Sequence, residues 1–274
     1  IRDIGVTGVQ TCALPISHSP FDWTDPVCGP AGWNREASWR IRHWAEVDST
    51  NSCAHRALHS ASEASRLHRI VFTADHQTRG RGQHARTWTG VSGSDLAMSI
   101  LLTEGLPDQH PFSLNLAVSL AVLEGIQSAL PRVATRGLEV KWPNDIMLKG
   151  RKAGGILIEN SWRGSRWASA VIGVGLNVFG TAPYPNATKL LATSEDANAL
   201  PRLQSAILRR LDNRLSELNS PKALLRQYHE RLLGWGRRQR WQFDGQEIRG
   251  VLEGVDLDGR LCVLGEDGMH CHAP

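Results

Sequence analysis

Lys141-Trp142-Pro143-Asn144-Asp145, with Lys152-Ala153-Gly154-Gly155-Ile156 a few residues on, is the stretch around which the rest of the chain is arranged. Leu138-Glu139-Val140 alternates apolar and acidic residues up to Lys141, which is a strand pattern. The Trp-Pro pair then excludes helix, and Asn-Asp turns the chain. Ile146-Met147-Leu148 and Gly154 to Glu159 read as strands on either side of a second turn at Lys149-Gly150-Arg151. A cation therefore stands at the mouth of a hairpin, close to two glycines that let a ligand approach the backbone. Taken alone, the pentapeptide is as readily a solvated strand-end lysine beside a core tryptophan. The surrounding chain decides between the two.

Upstream, Trp39 to Val47 alternates with Trp39, Ile41, His43 and Ala45 on one side, predicting a first strand. Asp48-Ser49-Thr50-Asn51 has N-cap chemistry and opens a helix expected to run to about Arg66. Arg69 to Ala74 and Leu96 to Leu102 read as strands, with Asp75 to Ser94 a Gly/Arg/Gln-rich loop between them. Leu114, Val118, Ala121, Val122, Gly125, Ile126 and Ala129 fall at helical spacing and predict a core helix over about 112–130. Downstream, Trp167 to Val178 is a strand, and a Pro-rich loop crosses Ala182 to Pro185. Two helices come next, the first striped by Leu203, Ile207, Leu208, Leu211, Leu215 and Leu218, the second opened by Pro221. Their arginines alternate with the apolar stripe and read as a solvated face. From Gly236 short strands separated by Asp244-Gly245, Asp258-Gly259 and Asp267-Gly268 predict a small all-β module.

The 274 residues suit one large domain and a small one, and 41% apolar residues suffice for a packed core. No apolar run reads as long enough to cross a membrane. The net charge of +4 suits an anionic small ligand or an acidic partner protein as well as nucleic acid. The five cysteines, Cys12, Cys28, Cys53, Cys262 and Cys271, form no C-x-x-C pair, and their odd number argues against a disulfide framework. A reducing cytoplasm is the simpler expectation. His270-Cys271-His272 has no second cluster to complete a metal site, so no metal ligands are assigned. Residues 1–34 read as an irregular leader foreign to the remainder of the chain, its first 17 residues like a translated adapter artefact. They are expected to lie outside a catalytic domain at 35–234 and a β module at 235–274, which stops a strand short of closure.

Three loops add to the hairpin. Ser49, Thr50 and Asn51 place short donors and acceptors at a strand-to-helix turn, which reads a neutral polar head group or is a plain N-cap. Gln77-Thr78-Arg79-Gly80-Arg81-Gly82-Gln83-His84-Ala85-Arg86-Thr87-Trp88 alternates glycine with arginine, whose forked guanidinium suits phosphate. Gly173-Val174-Gly175-Leu176-Asn177 permits close approach at a strand end. No G-x-x-x-x-G-K-[ST] occurs, so any nucleotide is bound without a P-loop.

In this order and at this spacing, these pieces resemble the biotin protein ligase family, in its class without an N-terminal DNA-binding domain, from about Arg40 to the β module. The resemblance implies an α+β fold: a central mixed, largely antiparallel sheet flanked by helices, as in class II aminoacyl-tRNA synthetases and biotin synthetases, then an SH3-like β-barrel. It implies ATP and biotin as substrates, with Mg2+ accompanying ATP, and a biotin carboxyl carrier domain as partner. It leaves room for a homodimer and calls for no nucleic acid and no membrane. By the same resemblance Ser49, Thr50, Asn51 and Gln77 hold the biotin head, with Gly154 and Gly155 beneath it. Arg81, Gly82, Gln83, Arg86 and Trp88 fold over the adenylate, Lys152 and Asn177 face the nucleotide, and Lys141, with Arg81, is the catalytic cation. The family's glycine loop often reads Gly-Arg-Gly-Arg-x-Gly-Arg; here Gln83 replaces the second arginine and Ala85 a glycine. Lipoate–protein ligase, with the same acyl-adenylate logic, is the nearest alternative. A basic nucleic-acid-binding module built on Arg79 to Arg86 is a more distant one, and it predicts strongly salt-dependent binding.

Overall fold

The computed structural model describes residues 34–36, 38–60, 67–131, 137–180, 184–192, 198–243, 246–266, 268 and 270–273. Strands β1 (Asn34–Glu36), β2 (Trp39–Val47), β3 (Ile70–Gln77), β4 (Leu96–Leu102), β5 (Leu138–Lys141), β6 (Asp145–Leu148), β7 (Arg151–Arg163) and β8 (Arg166–Leu176) form one sheet. Their order is β1-β2-β3-β4-β8-β7-β6-β5. Only β2 and β3 run parallel; every other pairing is antiparallel. The parallel pair needs a crossover, which is α1 (Thr50–Ser60). Its buried residues Thr50, Cys53, Ala54 and Ala57 recur at helical spacing and cover Trp44, Ile70, Phe72, Leu101 and Val171 on one face of the sheet.

The other face carries the main core. Helix α2 (Phe112–Ala129) is buried nearly all round, because it lies between the sheet and helices α3 (Ala199–Ser216) and α4 (Pro221–His229). It is long and apolar enough to cross a membrane by length and composition, contrary to the expectation that no segment would be, yet 72% of that window is buried inside the protein. The chain then forms an antiparallel meander of β9 (Arg238–Phe243), β10 (Gln246–Val255), β11 (Leu261–Gly265) and β12 (His270–Ala273). This small sheet sits against the large unit. Leu252, Val255, Leu261 and Val263 join the main core, His229 hydrogen-bonds to the Val255 backbone, and Trp142 Nε1 donates to the Gly259 carbonyl at 2.8 Å.

Several elements depart from the sequence pattern. In β2, Trp39 and Ile41 face the main core as expected, but His43 and Ala45 are exposed, and Arg42 and Trp44 are buried on the opposite face. The main core covers one face of β2 only at Trp39 and Ile41, and α1 covers the opposite face at Trp44, so the covered face changes along the strand and simple alternation fails. Strand β3 continues through Asp75 to Gln77, residues expected to be loop, because β2 extends beside it as far as Val47. The end expected for the first helix, the leader up to Trp33, the turn at Asp244-Gly245 and the side chains of 270–272 lie outside the described residues.

Candidate active site

The site is built on the α1 face of the sheet, just beyond the N-terminus of that helix. Strand register aligns one row of residues on this face: Lys141, Asp145, Gly155, Gly175, Ala97, Ala74 and Trp44. The next row holds Leu157, Gly173, Ser99 and Phe72. The middle of the first row has almost no side chains, which leaves a shallow floor bounded by the lysine at one end and α1 at the other. Trp88 lies across this floor. A Cβ on Gly175 would come within 2.6 Å of the Trp88 indole Nε1, so the indole rests directly on bare backbone. At Gly173 a Cβ would overlap Asn51 Oδ1, so Asn51 uses the second gap in the same way. Gly154, expected beside Gly155, faces the other side of the sheet against Leu176 and forms no part of the floor.

The turn between β2 and α1 is fixed by Asp48. Its carboxylate accepts the Ser49 N–H at 2.8 Å and binds Arg56 through two hydrogen bonds, at 2.7 and 2.8 Å. The Ser49 carbonyl accepts from Cys53 N at 2.9 Å and starts the helix. Thr50 donates its N–H to Gln77 Oε1 at 2.7 Å, with its hydroxyl 3.1 Å from the same oxygen. The buried Ser99 hydroxyl lies 2.7 Å from Thr50 Oγ1 and 2.5 Å from Asn51 Oδ1. Asn51 Nδ2 in turn donates to Glu159 at 2.8 Å. Ser49, Thr50, Asn51 and Gln77 are thus brought together as the sequence predicted, and Ser99 and Glu159 complete a chain that sequence reading missed. An acidic residue closing the apolar run Ile156-Leu157-Ile158 was the available signal for Glu159, since a carboxylate there needs partners.

The glycine loop is not an open coil. Gly82 N donates to Arg86 O, Trp88 N to Gly80 O, and Arg81 pairs with Thr87, so residues 80–88 form a small hairpin. Its tip is a single 3-10 turn, Gln83–Ala85, with His84 in the left-handed region at φ 51°. Arg81 reaches across to Glu159 Oε1 at 2.7 Å. Gln83 is half-buried in the tip, and Arg86 is exposed.

At the opposite end a β-bulge between Ile146 and Met147 brings Lys152 into play. Its ammonium ion-pairs with Asp145, about where a side chain on Gly155 would be. Lys141 stands exposed at the end of β5, and no carboxylate among the described residues pairs with it. Of the three cations Lys141, Lys152 and Arg81, only Lys141 has no carboxylate partner among the described residues. Asn144 Nδ2 donates to Ile156 O at 2.6 Å and closes the Lys-Trp-Pro-Asn-Asp turn. Asn177 is buried; its amide donates to Thr188 O at 3.0 Å and ties the 184–190 segment to the end of β8.

Two carboxylates here are held below their ordinary pKa values. Burial raises the Glu159 pKa, but hydrogen bonds from His55 and Asn51, with the charges of His55 and Arg81, outweigh it and hold the group below its ordinary value. Burial likewise raises the Asp48 pKa, but the Arg56 and Ser49 hydrogen bonds, with the Arg56 charge, outweigh it, and that group also ends low. A folded pKa below the unfolded one stabilises the fold above the unfolded value, and that contribution vanishes as pH falls through the folded value. The melting temperature should therefore drop as pH falls below about 4. Asp48→Asn should be less stable than the unaltered chain at pH 7 and converge with it below the folded pKa. Thermal melts from pH 2 to 7 check this; a constant offset at all pH values would contradict it.

No group of three or more His, Cys, Asp or Glu among the described residues is placed to hold a metal ion. Asp145 and Glu159 already have cationic partners.

Residues 45–177 match the family model for the biotin/lipoate A/B protein ligase family. The biotin–[acetyl-CoA-carboxylase] ligase of Mycobacterium tuberculosis is 34% identical over 231 residues, covering 80% of this chain and 84% of that protein. The bifunctional ligase/repressor BirA of Bacillus subtilis is 30% identical over 234 residues, covering 81% of this chain and 69% of that one. Among solved structures, the biotin protein ligase from Aquifex aeolicus in complex with biotin and ATP superposes with a TM-score of 0.65 at 24% identity, covering 85% of this chain and 94% of that one.

Proposed function

The chain belongs to the biotin protein ligase family and is an ATP-dependent biotin ligase; from that premise we propose which of its residues do the work and on what partner. The observation that carries the assignment of roles is the bare floor of Gly155 and Gly175, closed at one end by the Asn51–Ser99–Thr50–Gln77 chain and at the other by Lys141, which has no carboxylate partner among the described residues. A neutral, hydrogen-bonding head group suits the first end, and an anionic carboxyl–phosphate junction suits the second.

In the first step a biotin carboxylate oxygen attacks the α-phosphorus of ATP. The P–O bond to the β-phosphate breaks, and pyrophosphate leaves. In the second, the neutral amine of a carrier lysine attacks the acyl carbon of biotinyl-adenylate, gives up a proton, and AMP leaves. Both steps gather negative charge on phosphate and acyl oxygens, and a fixed ammonium there lowers the barrier. Lys141 is the catalytic cation in this reading. Trp88 offers an aromatic face over Gly175, and Lys152 stands one strand away, so adenosine and phosphate have adjacent partners. Arg81 contributes its charge to the nucleotide only by leaving Glu159; until then it latches the loop. Mg2+ arrives on the nucleotide as part of the substrate.

The acceptor is the lysine of a biotin carboxyl carrier domain, in the cytoplasm where ATP is supplied. With ATP, labelled biotin and such a domain, label is expected on one carrier lysine and none on a carrier with that lysine replaced by arginine. Labelling of lysines at random, or release of free biotinyl-adenylate with no transfer, would contradict the carrier assignment.

A further inference from the structure

Glu159 is used by none of the steps above, yet it is the most connected side chain near the site. Its Oε2 accepts from Asn51 Nδ2 at 2.8 Å and lies 3.1 Å from His55 Nε2, and its Oε1 accepts from Arg81 at 2.7 Å. It thus touches the head-group turn, helix α1 and the glycine loop at once. A carboxylate only accepts, so Asn51 must turn its NH2 toward Glu159 and its oxygen toward Ser99. Ser99 must then donate its single proton to Asn51, so its contact with Thr50 Oγ1 requires the Thr50 hydroxyl to donate, and Thr50 is tied to Gln77 through its N–H instead of its hydroxyl. The donor and acceptor polarity from Asn51 to Thr50 is therefore set by the charge at residue 159.

We propose that Glu159 is a positioning residue for the biotin head: it sets the amide orientation of Asn51, and through it the polarity of the Asn51–Ser99–Thr50 chain, while the same carboxylate holds Arg81 in the closed loop. This rests on the biotin ligase reading and adds a residue to it. In Glu159→Gln the new amide cannot serve both neighbours. With its oxygen toward Arg81, its NH2 faces the NH2 of Asn51; turned over, it loses Arg81. The side chain keeps its size, so the defect is one of polarity and not of packing.

The test exchanges the polarity. Glu159→Gln, Asn51→Asp and the double variant are compared in biotin-dependent ATP–pyrophosphate exchange, with thermal melts beside them. Glu159→Gln should raise KM for biotin at least tenfold. Asn51→Asp puts a second carboxylate against Glu159 and should do the same. The double variant restores one donor facing one acceptor at unchanged net charge, and the carboxylate introduced at position 51 still accepts from Ser99. Its KM should fall at least threefold below that of the better single variant. A merely structural Glu159 would lower the melting temperature and the active fraction without moving KM. The inference is overturned if Glu159→Gln keeps a KM within twofold of the unaltered chain, or if the double variant is no better than the singles. If the unaltered chain shows no biotin-dependent exchange, the ligase reading fails and takes this inference with it. Exchange by the unaltered chain with an indifferent Glu159→Gln sinks this inference alone.

Discussion

Replacing Lys141 by alanine is expected to reduce biotin-dependent ATP–pyrophosphate exchange by about 10²–10³-fold, the usual effect of removing one preorganised stabiliser of developing charge. The expectation comes from charge compensation at the site. Glu159 offsets Arg81 and Asp145 offsets Lys152, while Lys141 at the end of β5 has no such partner among the described residues. Because Lys141 is exposed and unpaired among those residues, its loss should change folding stability by no more than about 0.5 kcal/mol. The melting curve should therefore be unchanged where the exchange rate collapses. Near-normal exchange would remove Lys141 from the catalytic role and shift it to Lys152 or Arg86.

The second large effect is expected at Gly173. Alanine there places a methyl group on Oδ1 of the buried Asn51, beside the buried Ser99. Asn51 is held by Glu159 on one side and Ser99 on the other, so it cannot swing aside without giving up both bonds. Overpacking of this kind costs about 1–3 kcal/mol. Gly173→Ala should lower stability by that order, measured by urea titration, and raise KM for biotin more than tenfold with a smaller change in kcat. Gly164→Ala, at the β7–β8 turn with φ 60° and open space around it, costs backbone strain alone, about 1–2 kcal/mol, and should leave KM for biotin unmoved, which separates lost stability from lost binding. A Gly173→Ala variant with unaltered KM would separate Asn51 from the head-group pocket.

Much of this site was legible in the sequence because it depends on local chemistry. Asp48 to Asn51 has capping residues in capping order, Gly80 to Trp88 pairs glycine with arginine, and Lys141 to Asp145 breaks and turns a strand. None of these needs a knowledge of strand order. What escaped depends on register. Ser99 lies in a seven-residue strand that is buried throughout, and nothing local distinguishes it from a core serine. It becomes part of the site because β4 pairs with β8 so that Ser99 faces Gly173. Gly154 and Gly155 are neighbours in sequence but face opposite sides of the sheet, and the β7–β8 register, which sets Gly155 against Gly175, decides which one joins the floor. Trp44, Arg42 and His43 depart from the pattern for a related reason: alternation identifies a strand but not which faces helices will cover. The internal order of the glycine loop escaped as well: cross-loop hydrogen bonds and the Arg81–Glu159 pair organise it, with His84, not a glycine, at the left-handed position.

The most direct test of the central claim is ATP–pyrophosphate exchange by the unaltered chain, with biotin or lipoate as the only acyl donor. A floor of bare backbone bounded by hydrogen-bonding side chains for a ureido head predicts exchange that depends on biotin, with none above background on lipoate. Exchange supported by lipoate and not by biotin, or exchange that proceeds equally without either acid, would contradict it.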